Sequence, residues 1–323
     1  MQSARRHPAL TDTGLARFDA QGALTPSRLL QLRGQFDDTG ALHVTNTGLA
    51  DRAALQPLMA ALGFGAGDQF SAGGRTAAAW QTKWAAPGLR QLDFYPPHLY
   101  LLPNGEIHYQ RDFPERILFF CETPPAAGGR TFIHAAKKLE SALVVAGRAG
   151  RALLDKIRTH GLMIEVGFLD RNHPQKAQNY FQSWQERFGH DDRGVALHVA
   201  QSRSREYDSC WWAEDAGYPV LMTRITLPGF VDKDGVDYMR FPRIAMDGPL
   251  LRNGFRRYPL GNGLELSDAE KDLLKSAYLA TREGYRWAQG DLILMDNIRH
   301  AHSREAFAGP RDIFIGMAGL KKL

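Results

Sequence analysis

Two short stretches of the chain carry residue types that can hold a divalent, redox-active metal: Asn104-Gly105-Glu106-Ile107-His108, and Asp296-Asn297-Ile298-Arg299-His300-Ala301-His302-Ser303-Arg304. A carboxylate and imidazoles suit such an ion, and Glu106 with His302 makes a partial ligand set. If each segment is extended, His108 shares a face with Glu106 and His300 shares a face with His302, because side chains two apart in a strand point the same way. Glu106, His108 and His302 would then give two histidines and one carboxylate. Asn104 offers a neutral amide oxygen, a weaker donor than imidazole, or a hydrogen bond to a metal-bound water.

These residues need rigid elements beneath them. Pro96-Pro97 restricts the backbone ahead of Leu99-Tyr100-Leu101-Leu102, a short apolar run predicted to be a strand that enters the Asn104-x-Glu106 turn. After Gly290, Asp291 to Asp296 is a second strand, which delivers Asn297 to His302. Ile117 to Cys121 is a continuous apolar run, consistent with a strand buried on both faces. Leu42 to Thr47 is a further strand candidate, and Ala53 to Leu62 a helix capped by Asp51 with Pro57 inside it. Gly128-Gly129 turns into a strand at Thr131-Phe132-Ile133, followed by a helix over Ala135 to Val145. Ser267-Asp268-Ala269-Glu270 is a capping box opening a helix with Leu273, Leu274, Ala277 and Tyr278 on one face. Arg311 to Met317 is the closing strand, with Arg311, Ile313 and Ile315 expected on one face. Residues 1–28 read as an irregular arm, and Gly63 to Gly74 as a glycine-rich loop without a phosphate-binding pattern.

At 323 residues the chain is long enough for one large core, so the expectation is a single domain over 29–323 with an insertion at about 161–286. Its 40 basic and 35 acidic residues are spread without long runs, which argues against nucleic acid as a partner. Two cysteines, Cys121 and Cys210, are too few for a disulfide framework and fit a reducing cytoplasm. No apolar run approaches membrane-spanning length, and the first residues lack a signal-peptide pattern. In the middle of the chain, Trp212 is a candidate for lining a substrate pocket. Arg240, Arg243, Arg252, Arg256 and Arg257 form a cluster able to bind a substrate carboxylate or phosphate, Arg243 being the one taken as a substrate contact.

Several fragments, in order, resemble one family. Tyr95-Pro96-Pro97, Asn104-x-Glu106, Phe113-Pro114, Leu118-Phe119-Phe120-Cys121, Pro124-Pro125 and Gly128-Gly129-x-Thr131 look like the taurine-dioxygenase and clavaminate-synthase-like iron(II)/2-oxoglutarate oxygenases. Trp287-x-x-Gly290-Asp291, Asp296-Asn297, Ala301-His302-x-Arg304, Phe307 and Gly309-Pro310-Arg311 continue the likeness, which runs from about Leu30 to Ala318. Asn179-Tyr180 and Ser183 to Phe188 resemble a segment that covers the site in such proteins. The resemblance implies a mixed α/β, mainly β fold, with a double-stranded β-helix (jelly roll) core and helical insertions. It implies Glu106 as the carboxylate ligand and His302 as the distal histidine of an iron(II) site. Thr131 and Arg311 would bind the carboxylate of 2-oxoglutarate, the co-substrate. Arg304 is a further substrate contact by the same likeness. The family carries a histidine two residues before the acid, and this chain has Asn104 there.

The implied reaction uses molecular oxygen and 2-oxoglutarate to hydroxylate or desaturate a small or carrier-tethered, amino-acid-like metabolite, in secondary metabolism. Two alternatives stay open on the sequence. One is an enzyme of the same fold that uses another metal, or none, for a non-oxidative reaction. The other is a binding protein without catalysis.

Overall fold

A computed structural model describes residues 15–64, 84–86, 89–91, 96–176, 182–242 and 256–323. The chain begins with β1 (Ala16–Asp19), α1 (Pro26–Thr39), β2 (Ala41–Thr45), α2 (Arg52–Ala61), β3 (Trp84–Ala86) and β4 (Leu89–Gln91). It continues with β5 (Leu101–Asn104), β6 (Asp112–Thr123), β7 (Ala127–Gly128), β8 (Thr131–Ala135), α3 (Ala136–Val145) and α4 (Arg148–His160). The insertion comprises β9 (Leu162–Leu169), α5 (Trp184–Phe188), α6 (Arg193–Ser202), β10 (Ser209–Asp215), β11 (Tyr218–Leu227), β12 (Phe230–Lys233), β13 (Val236–Met239) and β14 (Arg256–Arg257). The last part holds α7 (Asp268–Thr281), β15 (Arg282–Tyr285), β16 (Leu292–Asp296), β17 (His300–Arg304), β18 (Phe307–Ala308) and β19 (Asp312–Lys322).

Two sheets make the double-stranded β-helix. The larger has the order β1-β2-β16-β6-β19-β4-β3 and the smaller β15-β8-β17-β5. Between them lie Ile117, Phe119, Cys121, Ile293, Met295, Ile313 and Ile315 of the larger sheet, against Ile133 and Tyr285 of the smaller. The other face of the larger sheet presents Leu118, Phe120, Leu294 and Phe314 to Leu32 of α1 and Leu55, Leu58 and Met59 of α2. Ile117 to Cys121 is therefore apolar without alternation because β6 is buried on both sides. Helices α3, α4 and α7 cover the outside of the smaller sheet with Leu139, Leu143, Leu153, Ile157, Leu274 and Tyr278.

The helix-start signals act as read. The Asp51 side chain accepts from the Ala54 amide at the start of α2, and Ser267 with Glu270 closes the capping box of α7. The expectation of an irregular arm over residues 1–28 is overturned within the described part. Ala16 to Asp19 pairs in parallel with Leu42 to Thr45, and Phe18 is buried under α1. Thr25-Pro26 is also a helix start, with the Thr25 hydroxyl accepting from Arg28 and proline at the first helical position. Four residues with one buried side chain give too short a period to be seen in sequence. The helix α1 ends at Gly40, whose φ of 72° is left-handed and whose missing Cβ leaves room for the Arg299 guanidinium.

In the insertion, β9, β10, β11 and β14 form a separate sheet of order β10-β11-β9-β14. Ser183 and Glu186 form a capping box for α5 that sequence reading passed over. Phe168, Trp184, Phe188, Ala196 and Leu221 fill the space between this sheet and α5–α6. Cys121 and Cys210 are both buried free thiols, and burial pushes the Cys210 thiol up to about 11. Among the described residues no helix is long and apolar enough to cross a membrane.

Behind the smaller sheet sits His134, fully buried, its Nε2 2.8 Å from the Ser303 hydroxyl, which in turn is 3.1 Å from the Tyr100 hydroxyl. Burial, reinforced by nearby His302 and Arg282, holds the His134 imidazole down at about 3. The folded protein therefore keeps this ring neutral where the unfolded chain takes up a proton. Stability should be intact above about pH 6.5 and fall as pH drops from there toward 3, at up to roughly 1.4 kcal/mol per unit from this group. Urea denaturation at pH 7.5 and 5.5 checks this: the loss on acidification should be smaller in His134→Gln, and an equal loss would show that other groups govern it.

Candidate functional site

Glu106 and His302 meet inside the β-helix. The His302 Nε2 is 3.8 Å from a Glu106 carboxylate oxygen, and the His302 side chain is 7% exposed against 23% for Glu106. Strand β17 delivers His302, whose ring stands edge-on to Phe119 of the larger sheet at 5.0 Å. Glu106 sits beyond the end of β5 in a turn. That turn is fastened by Asn297, fully buried, whose Oδ1 accepts from the Glu106 amide at 2.9 Å and whose Nδ2 donates to the Glu106 and Pro114 carbonyls at 2.9 and 2.7 Å. Asp296 shapes the same connection by accepting from the Ile298 and Arg299 amides. The sequence contained Asp296-Asn297 only as a matching fragment; its positioning role follows from contacts 191 residues apart, which no local pattern encodes.

The segment after Glu106 is not extended. His108 N–H donates to the Gly105 carbonyl, Gln110 N–H to Ile107, and Ile107 has φ of 59°. A left-handed β-branched residue costs on the order of 1–3 kcal/mol, here set against the burial of its side chain in the core. The alternation that would have set His108 beside Glu106 therefore fails. The His108 ring instead folds back over Gly105, where a Cβ would lie 2.3 Å from its Nδ1, and packs on Phe113 at 4.3 Å. His300 is buried, which holds its imidazole down at about 4. Among the described residues no three His, Cys, Asp or Glu side chains converge as a metal-holding group, so neither His108 nor His300 completes a triad with Glu106 and His302.

Asn104 does face the pair. It is the register partner of His302 across β5 and β17, and its Nδ2 donates to the Leu102 and His302 carbonyls at 3.2 and 3.3 Å. With the amide nitrogen so engaged, the oxygen is the end available as an acceptor or ligand. The donor types on this face are thus one carboxylate, one imidazole and one neutral amide, a set that would suit a divalent metal.

A second group of polar side chains lies farther along the smaller sheet. Tyr285, Thr131 and Arg304 are register partners across β15, β8 and β17. The Trp287 indole N–H donates to the Thr131 hydroxyl at 3.1 Å, so the Thr131 proton is directed elsewhere. Arg311 is buried, with its guanidinium over the Phe307 ring at 5.3 Å. A β-bulge between Asp312 and Ile313 interrupts the simple alternation expected from Arg311 onward. Burial raises the Tyr285 hydroxyl well above its ordinary range, opposed by the neighbouring Thr131 hydroxyl and Arg311 charge. The Tyr285 hydroxyl nevertheless makes no hydrogen bond of acceptable geometry among the described residues. Its ring packs on Trp287 and on His43, which donates to Asp291 at 3.0 Å. Sequence reading missed Tyr285, since Arg282-Glu283-Gly284-Tyr285 is a short polar strand with no pattern that marks a site.

Of the other candidates, Arg304 donates to the Pro96 and Leu99 carbonyls and so fastens the approach to β5. Trp212 stands edge-on to Trp184 with Arg193 over its ring, in the layer between the insertion sheet and its helices. That packing, rather than a substrate pocket, accounts for it. Arg243, Arg252, Tyr95, Asn179-Tyr180 and most of the Gly63 to Gly74 loop lie outside the described residues.

No family model and no curated protein sequence matches the chain. Solved structures do. The chain is similar to the PvcB protein from Pseudomonas aeruginosa, at 14% identity and a TM-score of 0.54, over 99% of this chain and 98% of that one. It is similar to a taurine dioxygenase from Burkholderia xenovorans at 13% identity and a TM-score of 0.50, over 96% and 88% of the two chains. At such identities the likeness is one of fold. The chain is thus a mixed α/β, mainly β protein with the jelly-roll fold that these proteins share.

Proposed function

We propose that this protein is an iron(II)- and 2-oxoglutarate-dependent oxygenase of the hydroxylase or desaturase type, acting on a small or carrier-tethered, amino-acid-like metabolite of secondary metabolism. The observation that carries this reading is the 3.8 Å approach of Glu106 and His302 inside a jelly roll, with Asn104 paired to His302 across the strands. Glu106 and His302 would hold the iron, with Asn104 as a neutral third donor. Iron(II) with 2-oxoglutarate supplies oxygen activation and attack on an unreactive C–H bond. The chain's own residues do the rest. Arg311 and the Thr131 hydroxyl, directed by Trp287, bind and orient the distal carboxylate of the co-substrate. Asn297 holds Glu106 in register with His302, and the apolar layer around Phe119 keeps water from the reacting groups.

Tyr285 extends this set. Its buried hydroxyl is suited to donate to the same carboxylate. Tyr285→Phe should weaken 2-oxoglutarate binding roughly 10-fold or more, the scale of a hydrogen bond to a charged group, while leaving the ligand-free protein as stable or more so, because a buried unsatisfied hydroxyl is removed. Calorimetric titration with a thermal melt reads both; unchanged affinity would exclude the role.

The absence of a third His, Cys, Asp or Glu among the described residues favours a second reading, a jelly-roll protein that uses another metal or none. Anaerobic titration of metal-free protein with iron(II), then 2-oxoglutarate, separates the two. A weak visible charge-transfer band is expected from the co-substrate chelated to iron. If neither iron nor 2-oxoglutarate binds, the oxygenase reading is wrong.

A further inference from the structure

The hairpin β12–β13 pairs with no other strand among the described residues, and a two-stranded hairpin is marginal by itself, so its anchors decide where it sits. Asp234 and Gly235, both at positive φ, form its two-residue turn. Val231 enters the core between the two main sheets, and Met239 packs with residues of α3 and α7. From opposite ends of this hairpin, two cations reach the two connections that carry Glu106 and His302.

Lys233, the last residue of β12, pairs with the buried Asp296. One Asp296 oxygen takes Lys233, and the other accepts from the Ile298 and Arg299 amides at 2.9 and 3.0 Å. This connection leads from β16 into β17, the strand of His302, and its Asn297 is the residue that grips Glu106. At the other end, where the chain leaves β13, the Arg240 amide donates to the Gly229 carbonyl at 2.8 Å. Arg240 is 2% exposed; its Nη2 donates to the His108 carbonyl and, at 3.5 Å, to that of Gln110, while the guanidinium lies over the Phe113 ring. Those carbonyls belong to the turn that follows Glu106, whose amides at His108 and Gln110 bond back to Gly105 and Ile107. Buried carbonyls need donors, and one guanidinium nitrogen has two hydrogens to give them. Bonds from a charged donor are roughly twice as strong as neutral ones, so this contact is not easily released. Arg240 stands opposite Gly229, four residues before Lys233, so at about 3.3 Å per residue the two grips lie about 13 Å apart on one hairpin.

We propose that the β12–β13 hairpin is the clamp that sets the spacing of the Glu106–His302 pair, with Lys233 and Arg240 as positioning residues. Lys233 acts through Asp296 and Asn297, and Arg240 through the His108 and Gln110 carbonyls. Its consequence for a metal rests on the oxygenase reading; the hold on the two connections does not.

The test uses the full chain and begins with hydrogen–deuterium exchange, with no metal or 2-oxoglutarate added. Arg240→Met should speed exchange over residues 105–111 by about 10-fold or more, the scale of losing a charge-assisted hydrogen bond, and leave β10 and β11 unchanged. Lys233→Met should do the same over residues 296–300; Lys233 is partly exposed and Asp296 keeps its two amide donors, so this variant should fold. Mn(II) binding, followed by the EPR signal of the free ion below every melting transition, should weaken by about 10-fold or more in both variants, the usual cost of removing a group outside the ligand set. Lys233→Arg, which keeps the charge, should restore it to within about 3-fold. Lys321→Met is the control: it removes the hairpin's 2.8 Å bond from Lys321 to the Asp232 carbonyl, touches neither connection, and should move neither readout. Unchanged exchange over 105–111 in a folded Arg240→Met overturns the proposal; if that variant does not fold, unchanged exchange over 296–300 in Lys233→Met does so. Mn(II) affinity within about 2-fold of wild type in the folded variants also overturns it, as does an equal loss in Lys321→Met, which would reduce the effect to general destabilisation. Faster exchange in the variants of a protein that binds no Mn(II) would sink the oxygenase reading alone; Mn(II) binding with unchanged exchange would sink the clamp alone.

Discussion

Alanine at Glu106 or at His302 is expected to abolish the iron-dependent 2-oxoglutarate band and any coupled turnover. Each residue supplies one of the two strong donors in the proposed site, and their side chains approach to 3.8 Å. Loss of a partner outside the coordination shell commonly costs a metal site roughly 10–100-fold in affinity, so loss of one of two strong ligands should cost more than about 100-fold. Stability should respond differently at the two positions. Glu106 is partly exposed and its backbone, not its carboxylate, is what Asn297 grips, so Glu106→Ala should melt within about 1 kcal/mol of wild type. His302 is buried against Phe119, so His302→Gln, which preserves more volume, is the better companion variant. Iron titration of both, with melts as controls, is the measurement. If either folded variant still binds iron and 2-oxoglutarate as the wild type does, the assigned ligand pair is wrong.

Restoring a histidine at Asn104 should have the opposite effect. Asn104 pairs with His302 across β5 and β17, so an imidazole there would add a third strong donor beside the first two. Iron affinity is expected to rise by about 10-fold or more. The exchange removes two hydrogen bonds, to the Leu102 and His302 carbonyls, at roughly 0.5–1.5 kcal/mol each, which a thermal melt will register. Turnover then decides what Asn104 is for. Preserved or faster 2-oxoglutarate consumption in Asn104→His would identify the asparagine as a lost ligand that the site tolerates. Tighter iron with lost product formation would identify it as a residue recruited to the reaction.

Individual elements could be read from the chain because their signals are local: the unbroken apolar run in β6 and the caps of α2 and α7 depend on neighbours a few residues away, and each led to the element observed. The jelly-roll fold came instead from a resemblance, carried by the order of matching fragments along nearly the whole chain. The short strand β1 was lost because a parallel pair with β2 rewards four residues that carry no period of their own.

The site divides along the same line. Sequence by itself determined which residue types are present: the carboxylate of Glu106, the imidazole of His302, the asparagine where the oxygenases it resembles have histidine, and the Thr131 and Arg311 pattern. Only the tertiary structure decided which of them meet. His108 was a fair candidate on an extended chain, but the left-handed Ile107 and the ring packed over Gly105 turn it away. Asn297 and Trp287 gained their roles through partners over 150 residues distant. Side-chain chemistry is fixed by the gene letter by letter, whereas proximity, desolvation and hydrogen-bond partnership are properties of pairs, and the chain sets those pairs only by folding.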